Sequence, residues 1–157
     1  MATEETRQLA HNYLDVLNRV LRTDDVDLLD AIATTDFIEH GSSPGLASWK
    51  QNVAMSRAIL PDGQLIARAI LADGDKAAIH GTLRGTHLGE MDGIPPTGKE
   101  VAVEFIDIVR FKDGLAVERW MVGDEMGMMR QIGVIPADIA DLGLLSSPAN
   151  DLQMIEW

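Results

Sequence analysis

The hydrophobic pattern of this 157-residue chain changes its period near Pro61, and that change restricts the folds open to it. Before Pro61, apolar residues recur at the spacing of an α-helix. After it, apolar and polar residues alternate as they do in β-strands. Helices followed by a run of antiparallel strands are typical of α+β proteins. We therefore expect N-terminal helices to cover one face of a curved, mostly antiparallel sheet of four or more strands, forming a cone-shaped barrel around an apolar pocket.

Three helices are predicted in the first part of the chain. The first spans residues 4–22 and has one continuous apolar face. A short second helix begins near Asp24, and a short extended piece is predicted over residues 36–40. The turn residues of GSSPG at 41–45 indicate a loop, and the third helix covers residues 46–60.

Four strands are predicted in the alternating part, over residues 64–71, 76–88, 100–111 and 115–122. A further short helix begins at Asp124 and runs to about Ile132, and a helical turn is predicted over 136–144. We interpret residues 1–133 as one domain and residues 134–157 as its C-terminal tail.

Charge and composition exclude several classes of function. The net charge of −12 and the pI of about 4.5 would repel a phosphate backbone and an anionic membrane, so neither nucleic acid nor a membrane is expected as a partner. The chain has no cysteine, which rules out a disulfide framework and a thiol nucleophile. The start MATEETRQLAHN lacks the basic and apolar regions of a signal peptide, so a cytoplasmic protein is expected.

A carboxylate interrupts the apolar face of the strand over residues 100–111. That carboxylate is Asp107, and a three-residue loop after the strand would place it opposite Arg119, whereas a two-residue Asp-Gly turn would place Trp120 there. We favour the three-residue loop, because it gives the carboxylate a charged partner on its own face. An isolated buried carboxylate is costly and is usually paired or protonated. Asp107 is therefore either half of a structural ion pair or a catalytic or substrate-orienting group in an apolar pocket.

Two other polar residues are candidates for acid/base chemistry. His40 stands before a Gly/Ser/Pro loop, where a histidine either transfers protons near neutral pH or serves as a surface or packing residue. Asp124 either caps the following helix or reaches the mouth of the cavity. The four histidines show no metal-ligand spacing, so no metal is predicted.

Several residues are candidates for the lining of the pocket. Trp49 and Trp120 are core aromatics or pocket walls. His80 and His87 lie an odd number of residues apart, so at most one of them faces the cavity, and we assign His80 to it. The predicted lining is completed by Phe105, Val109 and Met121.

Three stretches of the sequence resemble the SnoaL-like polyketide cyclase family of the nuclear transport factor 2-like superfamily. They are GTHLGEMDGIPPTGKEV at 85–101, IDIVRFKDGLAVERW at 106–120 and GDEMGMMRQIG at 123–133, and the resemblance covers most of residues 5–133. It implies a cone-shaped α+β barrel, a homodimer, a deep apolar pocket and no cofactor. The founding members of that family close a ring of an aromatic polyketide by an intramolecular aldol condensation, and some relatives act as hydroxylases.

The resemblance also implies roles for individual residues. The catalytic aspartate of ring-closing members falls at the position of Met121, and a pocket histidine falls at Asp107. His40 occupies the position of a polar residue before the Gly/Pro loop. Asp124 matches a residue common in the broader family and is the fallback acid. Asp107 then supplies a carboxylate on the same sheet face as Met121, but from the neighbouring strand.

Two functions from different classes follow. The first is a cofactor-independent enzyme acting on an apolar oxygenated small molecule, in which Asp107 is the acid/base, Arg119 holds it or stabilises an oxyanion, and His40 assists. The second is a non-catalytic protein that binds a small apolar ligand, motivated by Met121 at the expected acid position. In both cases a homodimer is expected through the outer sheet face, to which Ala102, Ile106 and Ile108 point.

Overall fold

A computed structural model describes residues 3–136 of the chain. Within this range there are three α-helices and one 3-10 helix: α1 (Thr3–Thr23), the 3-10 helix (Val26–Ala31), α2 (Leu46–Ile59) and α3 (Glu125–Gln131). Five strands accompany them: β1 (Ala33–Glu39), β2 (Gln64–Asp73), β3 (Lys76–Thr86), β4 (Glu100–Lys112) and β5 (Leu115–Gly123). Each predicted helix and strand within this range is confirmed, with its ends shifted by a few residues.

The strands form one curved sheet in the order β1-β5-β4-β3-β2, and the sheet does not close into a complete barrel. All neighbouring strands are antiparallel except β1 and β5, which are parallel. The extended piece expected before the Gly/Ser/Pro loop is β1, and it lies at the edge of the sheet. This arrangement confirms the predicted α+β architecture.

The main core lies between the helices and the inner face of the sheet. Tyr13 and Val20 of α1 are fully buried against Ile79 of β3 and Val109 of β4. Burying an apolar side chain of this size contributes about 1.5–3 kcal/mol each relative to exposure. Along β4 every second residue from Val101 to Phe111 is buried, and Asp107 belongs to this buried set.

The register of the hairpin between β4 and β5 differs from the predicted one. Lys112 pairs with Leu115, so the turn has two residues, Asp113 and Gly114, and both have positive φ angles, as a type I′ turn requires. A β-bulge follows, and it leaves Val117 without an opposite residue. Bulges of this kind shift one strand by one residue and exchange its faces.

This bulge determines which residues face the interior. Asp107 pairs with Met121, and Val109 pairs with Arg119. The predicted direct pairing of Asp107 with Arg119 is therefore wrong, as is the alternative pairing with Trp120. Arg119 nevertheless lies on the same face as Asp107, one pair further along the hairpin.

At the C-terminal end, α3 packs Met128 and Met129 against a second, smaller cluster around Leu60 and Val103. Residues 137–157 of the predicted tail lie outside the described residues. They include all but the first residue of the helical turn expected over 136–144. No helix within 3–136 is long and apolar enough to cross a membrane.

Candidate active site

A cavity of about 360 Å³ lies between α1, α2, α3 and the inner face of the sheet. Most of its lining is apolar, contributed by leucine, isoleucine, valine, phenylalanine and methionine side chains. Two polar groups of this lining, Asp107 and Arg119, are almost fully buried, at 3% and 7% exposure. Two exposed carboxylate residues, Asp92 and Glu125, complete the acidic part of the lining. The cavity is thus an apolar volume with a small set of polar groups, as small-molecule sites usually are.

The buried polar groups form a connected cluster. The Tyr13 hydroxyl donates a hydrogen bond to Asp107 Oδ2 over 3.2 Å, and Arg119 Nη1 donates one to the Tyr13 hydroxyl over 3.0 Å. Arg119 Nη1 also lies 3.6 Å from Asp107 Oδ2. All of these contacts with the carboxylate converge on one of its oxygens. The second oxygen, Oδ1, is buried and has no hydrogen-bond partner among the described residues.

The other side of the Arg119 guanidinium contacts a second carboxylate. Arg119 Nη2 lies 3.0 Å from Oε1 of Glu39, which precedes the loop at the end of β1. Oε2 of Glu39 accepts a hydrogen bond from Asn52 of α2 over 2.6 Å. The parallel pairing of Glu39 with Arg119 across β1 and β5 produces this contact. One buried cation therefore serves two carboxylates.

The protonation states of the cluster follow from its burial. Burial raises the pKa of Asp107 above its usual range, and the charge of Arg119 and the hydrogen bond from Tyr13 offset this only in part. Burial likewise raises the pKa of Tyr13, so its hydroxyl keeps its proton and acts as a donor. Burial opposes the charge of Arg119, but Tyr13, Asp107 and Glu39 together raise the pKa of Arg119 above its usual value. A carboxyl with a raised pKa beside a fixed cation is suited to exchanging a proton with a ligand.

His40 lies apart from this cluster. Its Nε2 is 3.0 Å from Glu118 Oε2, and its ring stacks on Trp120 with centroids 4.4 Å apart. Neither His40 nor Trp120 lines the cavity, although both were expected there. The reason is strand alternation: Glu39 and Arg119 point inward, so the residues that follow them point outward.

The remaining predicted pocket residues divide between the cavity, the core and the surface. Phe105 and Met121 line the cavity as expected, whereas Val109 is fully buried in the core and does not line it. Trp49 is also buried behind the cluster, where it stacks on Tyr13, and the Arg119 guanidinium lies 5.6 Å from the centre of its ring.

The two candidates on polar surfaces have local partners. Asp124 caps α3, where its Oδ1 accepts a hydrogen bond from the amide of Gly127 over 2.8 Å. His80 lies on the outer sheet face, 3.0 Å from Glu104 Oε1. Neither lines the cavity.

Two members of the cluster, Tyr13 and Glu39, were not identified from the sequence. Tyr13 was counted only as part of an apolar helix face, although its hydroxyl, if buried there, needs a polar partner. Glu39 gave no signal because its contact depends on the parallel pairing of an edge strand. Within 3–136 no group of three or more His, Asp or Glu side chains is arranged to hold a metal ion.

The molecule is thus a single curved sheet covered by helices, with an apolar cavity and a buried carboxylate. A family model described as SnoaL-like polyketide cyclase matches residues 11–132, and the chain belongs to this family. Nogalonic acid methyl ester cyclase from Streptomyces nogalater is 28% identical over 115 residues, covering 71% of this chain and 86% of that relative.

Solved structures agree on the fold. TsrD from Streptomyces laurentii superposes with a TM-score of 0.74 at 24% identity, over 86% of this chain and 99% of that one. IdmH from Streptomyces antibioticus superposes with a TM-score of 0.68 at 26% identity, over 78% of this chain and 97% of that one. The resemblance expected from the three sequence stretches is thereby confirmed.

Proposed function

We propose that this protein is a cofactor-independent enzyme that acts by general acid/base catalysis on an apolar, oxygenated small molecule such as a polyketide intermediate. The observation that carries the proposal is Asp107 Oδ1, a buried carboxylate oxygen with no partner within 3–136, on a residue that lines an apolar cavity. An unpaired buried acceptor costs about 1–3 kcal/mol, a cost that a bound ligand would relieve. A purely structural ion pair would be expected to satisfy both oxygens.

The proposed chemistry begins with a proton transfer. Asp107 Oδ1 takes a proton from a carbon next to a ligand carbonyl, and the electron pair moves onto the carbonyl oxygen to give an enolate. The positive charge of Arg119 stabilises that developing negative charge. The enolate carbon then attacks a second carbonyl of the same molecule, and Asp107 returns the proton to the new alkoxide. Positioned acid/base groups of this kind contribute about 10²–10⁴-fold to a rate.

The charges around the cavity favour a neutral ligand. Among the described residues that line it, the acidic side chains Asp92, Asp107 and Glu125 outnumber the guanidinium of Arg119, which is also paired with Glu39. An ester is therefore a better candidate than the corresponding free acid. The relative from Streptomyces nogalater is a cyclase of a methyl ester, nogalonic acid methyl ester, and we propose a substrate of the same class.

The experiment that tests this function is incubation of the protein with aromatic polyketide methyl esters, beginning with nogalonic acid methyl ester, followed by mass spectrometry and NMR of the products. We expect a new cyclic product with wild-type protein. Asp107→Asn should bind the same ester with similar affinity and form the product at least about 100-fold more slowly. Turnover by Asp107→Asn at the wild-type rate would remove Asp107 from the chemistry.

A second candidate function, ligand binding without chemistry, is favoured by one observation. Met121, which stands where the resemblance implies an acid, pairs with Asp107 and lines the cavity. A thioether cannot transfer a proton. If saturable ester binding in calorimetry is accompanied by no chemical change after long incubation, this second function replaces the first.

We also propose that the protein is a homodimer through the outer face of its sheet. Apolar residues of β4 and β5 are exposed there: Ile106, Ile108, Trp120 and Val122. Contiguous exposed apolar side chains of this kind mark interaction surfaces. Light scattering at micromolar concentration should give twice the chain mass of 17.1 kDa, and Ile106→Lys should give the single mass. A wild-type monomer at that concentration contradicts the dimer.

A further inference from the structure

We propose that Glu39 is a positioning residue for the Asp107 site: it holds one arm of the Arg119 guanidinium and thereby keeps Asp107 Oδ1 free for a ligand. This inference rests on the proposed acid/base function of Asp107, and it concerns how the carboxylate is kept ready for that function.

The first step is the geometry of the shared guanidinium. A guanidinium and a carboxylate form two parallel hydrogen bonds when nothing prevents it. Here Nη2 of Arg119 is 3.0 Å from Glu39, while Nη1 is 3.0 Å from the Tyr13 hydroxyl and 3.6 Å from Asp107 Oδ2. Arg119 therefore approaches Asp107 with one nitrogen only, at a distance longer than a normal hydrogen bond.

The second step is that Glu39 is itself held in place. Asn52 of α2 donates to Glu39 Oε2 over 2.6 Å, so each oxygen of this carboxylate has its own partner. The Glu39 side chain is 12% exposed, compared with 5% for Asp107. Glu39 lies nearer to solvent and is fully paired, whereas Asp107 lies deeper and is half paired. This inequality leaves the free acceptor oxygen on the residue that lines the cavity.

The third step concerns the charged and titratable groups around Asp107. Tyr13 faces it from α1 and Arg119 from β5, while Glu39 of β1 contacts Arg119 and its negative charge also raises the pKa of Asp107 directly. Neighbours on β4 itself are apolar on this face. Among these groups only Arg119 is a cation, and Glu39 is the residue whose removal would release a guanidinium nitrogen toward Asp107.

The test is a substitution that keeps the shape of Glu39 and removes its charge, Glu39→Gln. The carboxyl carbon of Asp107 is followed by NMR in protein labelled at aspartate carboxyl carbons, with the resonance assigned by its loss in Asp107→Asn. No substrate is needed, so the result is independent of whether turnover is found. We expect the titration midpoint of Asp107 to fall by about one pH unit in Glu39→Gln, because the negative charge of Glu39 no longer raises it and Arg119 pairs with it more closely.

The matched control is Glu118→Gln. Like Glu39, Glu118 is a glutamate at the contact between β1 and β5, but it lies on β5. Its side chain pairs with Arg110 and His40 outside the cavity. The substitution removes the same charge from the chain, and the Asp107 midpoint should stay within about 0.3 pH of wild type, because Glu118 lies on the opposite sheet face and is paired there with His40 and Arg110. An equal fall of the Asp107 midpoint in both variants would show that the midpoint responds only to the net charge of the chain, and this would overturn the proposal.

A crystal structure of Glu39→Gln gives a second, independent readout. Arg119 is expected to turn so that two of its nitrogens lie within about 3.2 Å of the two Asp107 oxygens. If Glu39→Gln does not fold, Glu39→Asp withdraws the carboxylate by one methylene and should move the midpoint in the same direction by a smaller amount. An unmoved Arg119 would overturn the proposal whatever the midpoint, because loss of the Glu39 charge alone lowers the midpoint of Asp107, and an unchanged or raised midpoint would overturn it as well.

Discussion

Asp107 and Met121 lie directly opposite each other on the inner face of the sheet, one in β4 and the other in β5. The aspartate is 3% exposed and the methionine 47% exposed, and both line the cavity. The acidic group of this face therefore belongs to β4, and the position across from it is an accessible thioether. The position for which the sequence resemblance implies an acid is thus occupied by a thioether in this chain.

Placing a second carboxylate opposite the first should couple the two. We expect Met121→Asp to form a pair in which one carboxyl holds its proton well above the usual range, because two close negative charges repel each other. Native protein then binds a proton that the unfolded chain has released, so the free energy of unfolding should fall as pH rises. Urea unfolding from pH 4 to 8 measures this. Met121→Leu is the control, and a pH dependence equal in the two variants would contradict the coupling.

The wild-type protein should show a weaker form of the same dependence through Asp107. Its pKa is raised in the folded state, so its contribution to stability is full below the unfolded pKa of about 3.9 and is lost as pH rises through the folded pKa. A tenfold difference in proton affinity between the folded and unfolded states corresponds to about 1.4 kcal/mol. Between pH 4 and neutral pH, the free energy of unfolding of wild type should therefore fall relative to that of Asp107→Asn. A difference that is constant over that interval contradicts the raised pKa.

Removing the shared cation should be far more damaging than removing a surface one. Arg119→Met leaves both Asp107 and Glu39 without their positive partner, and we expect a loss of about 3–5 kcal/mol in unfolding free energy. Arg110→Met is the matched control, because Arg110 pairs with Glu118 on the outer face with its side chain 32% exposed. Its loss should be at most about 1 kcal/mol. Similar losses for the two variants would show that Arg119 does not hold the cluster together.

The contribution of the Tyr13 hydroxyl can be measured separately from the contribution of its ring. Tyr13→Phe keeps the stacking on Trp49, whose ring centroid is 5.8 Å away, but removes the donor to Asp107 Oδ2. We expect unfolding free energy to fall by about 1–3 kcal/mol and the Asp107 titration midpoint to rise, since the carboxylate loses a hydrogen bond. Chemical denaturation and carboxyl NMR measure the two effects. A lowered midpoint would mean that the Tyr13 hydroxyl does not donate to this carboxylate.

The sequence was informative where a pattern is local and less so where a contact depends on long-range pairing. The change of period at Pro61 predicted the order of helices and strands, and the apolar face around Asp107 identified the buried carboxylate. The predicted register was wrong because the turn has two residues and a bulge follows it at Val117, and the sequence carries no signal for that bulge. Arg119 nevertheless lies on the predicted face.

The same limit explains the misplacement of His40. Its position depends on parallel pairing of β1 with β5, which directs Glu39 inward and the next residue outward. Residues 3–39 and 107–119 approach each other only in the folded chain, so the cluster formed by Tyr13 and Glu39 with Arg119 was not visible in either segment alone.

The measurement that tests the central claim most directly is catalysed deuterium exchange. An aromatic β-keto methyl ester that cannot cyclise is incubated in D2O with wild-type protein, Asp107→Asn or no protein, and the hydrogen next to its carbonyl is followed by NMR. If Asp107 is the general base, wild type should accelerate exchange at least about 100-fold over Asp107→Asn at equal ligand occupancy. Equal exchange with the two proteins, with the ester bound to both, would contradict the assignment of Asp107 as the catalytic acid/base.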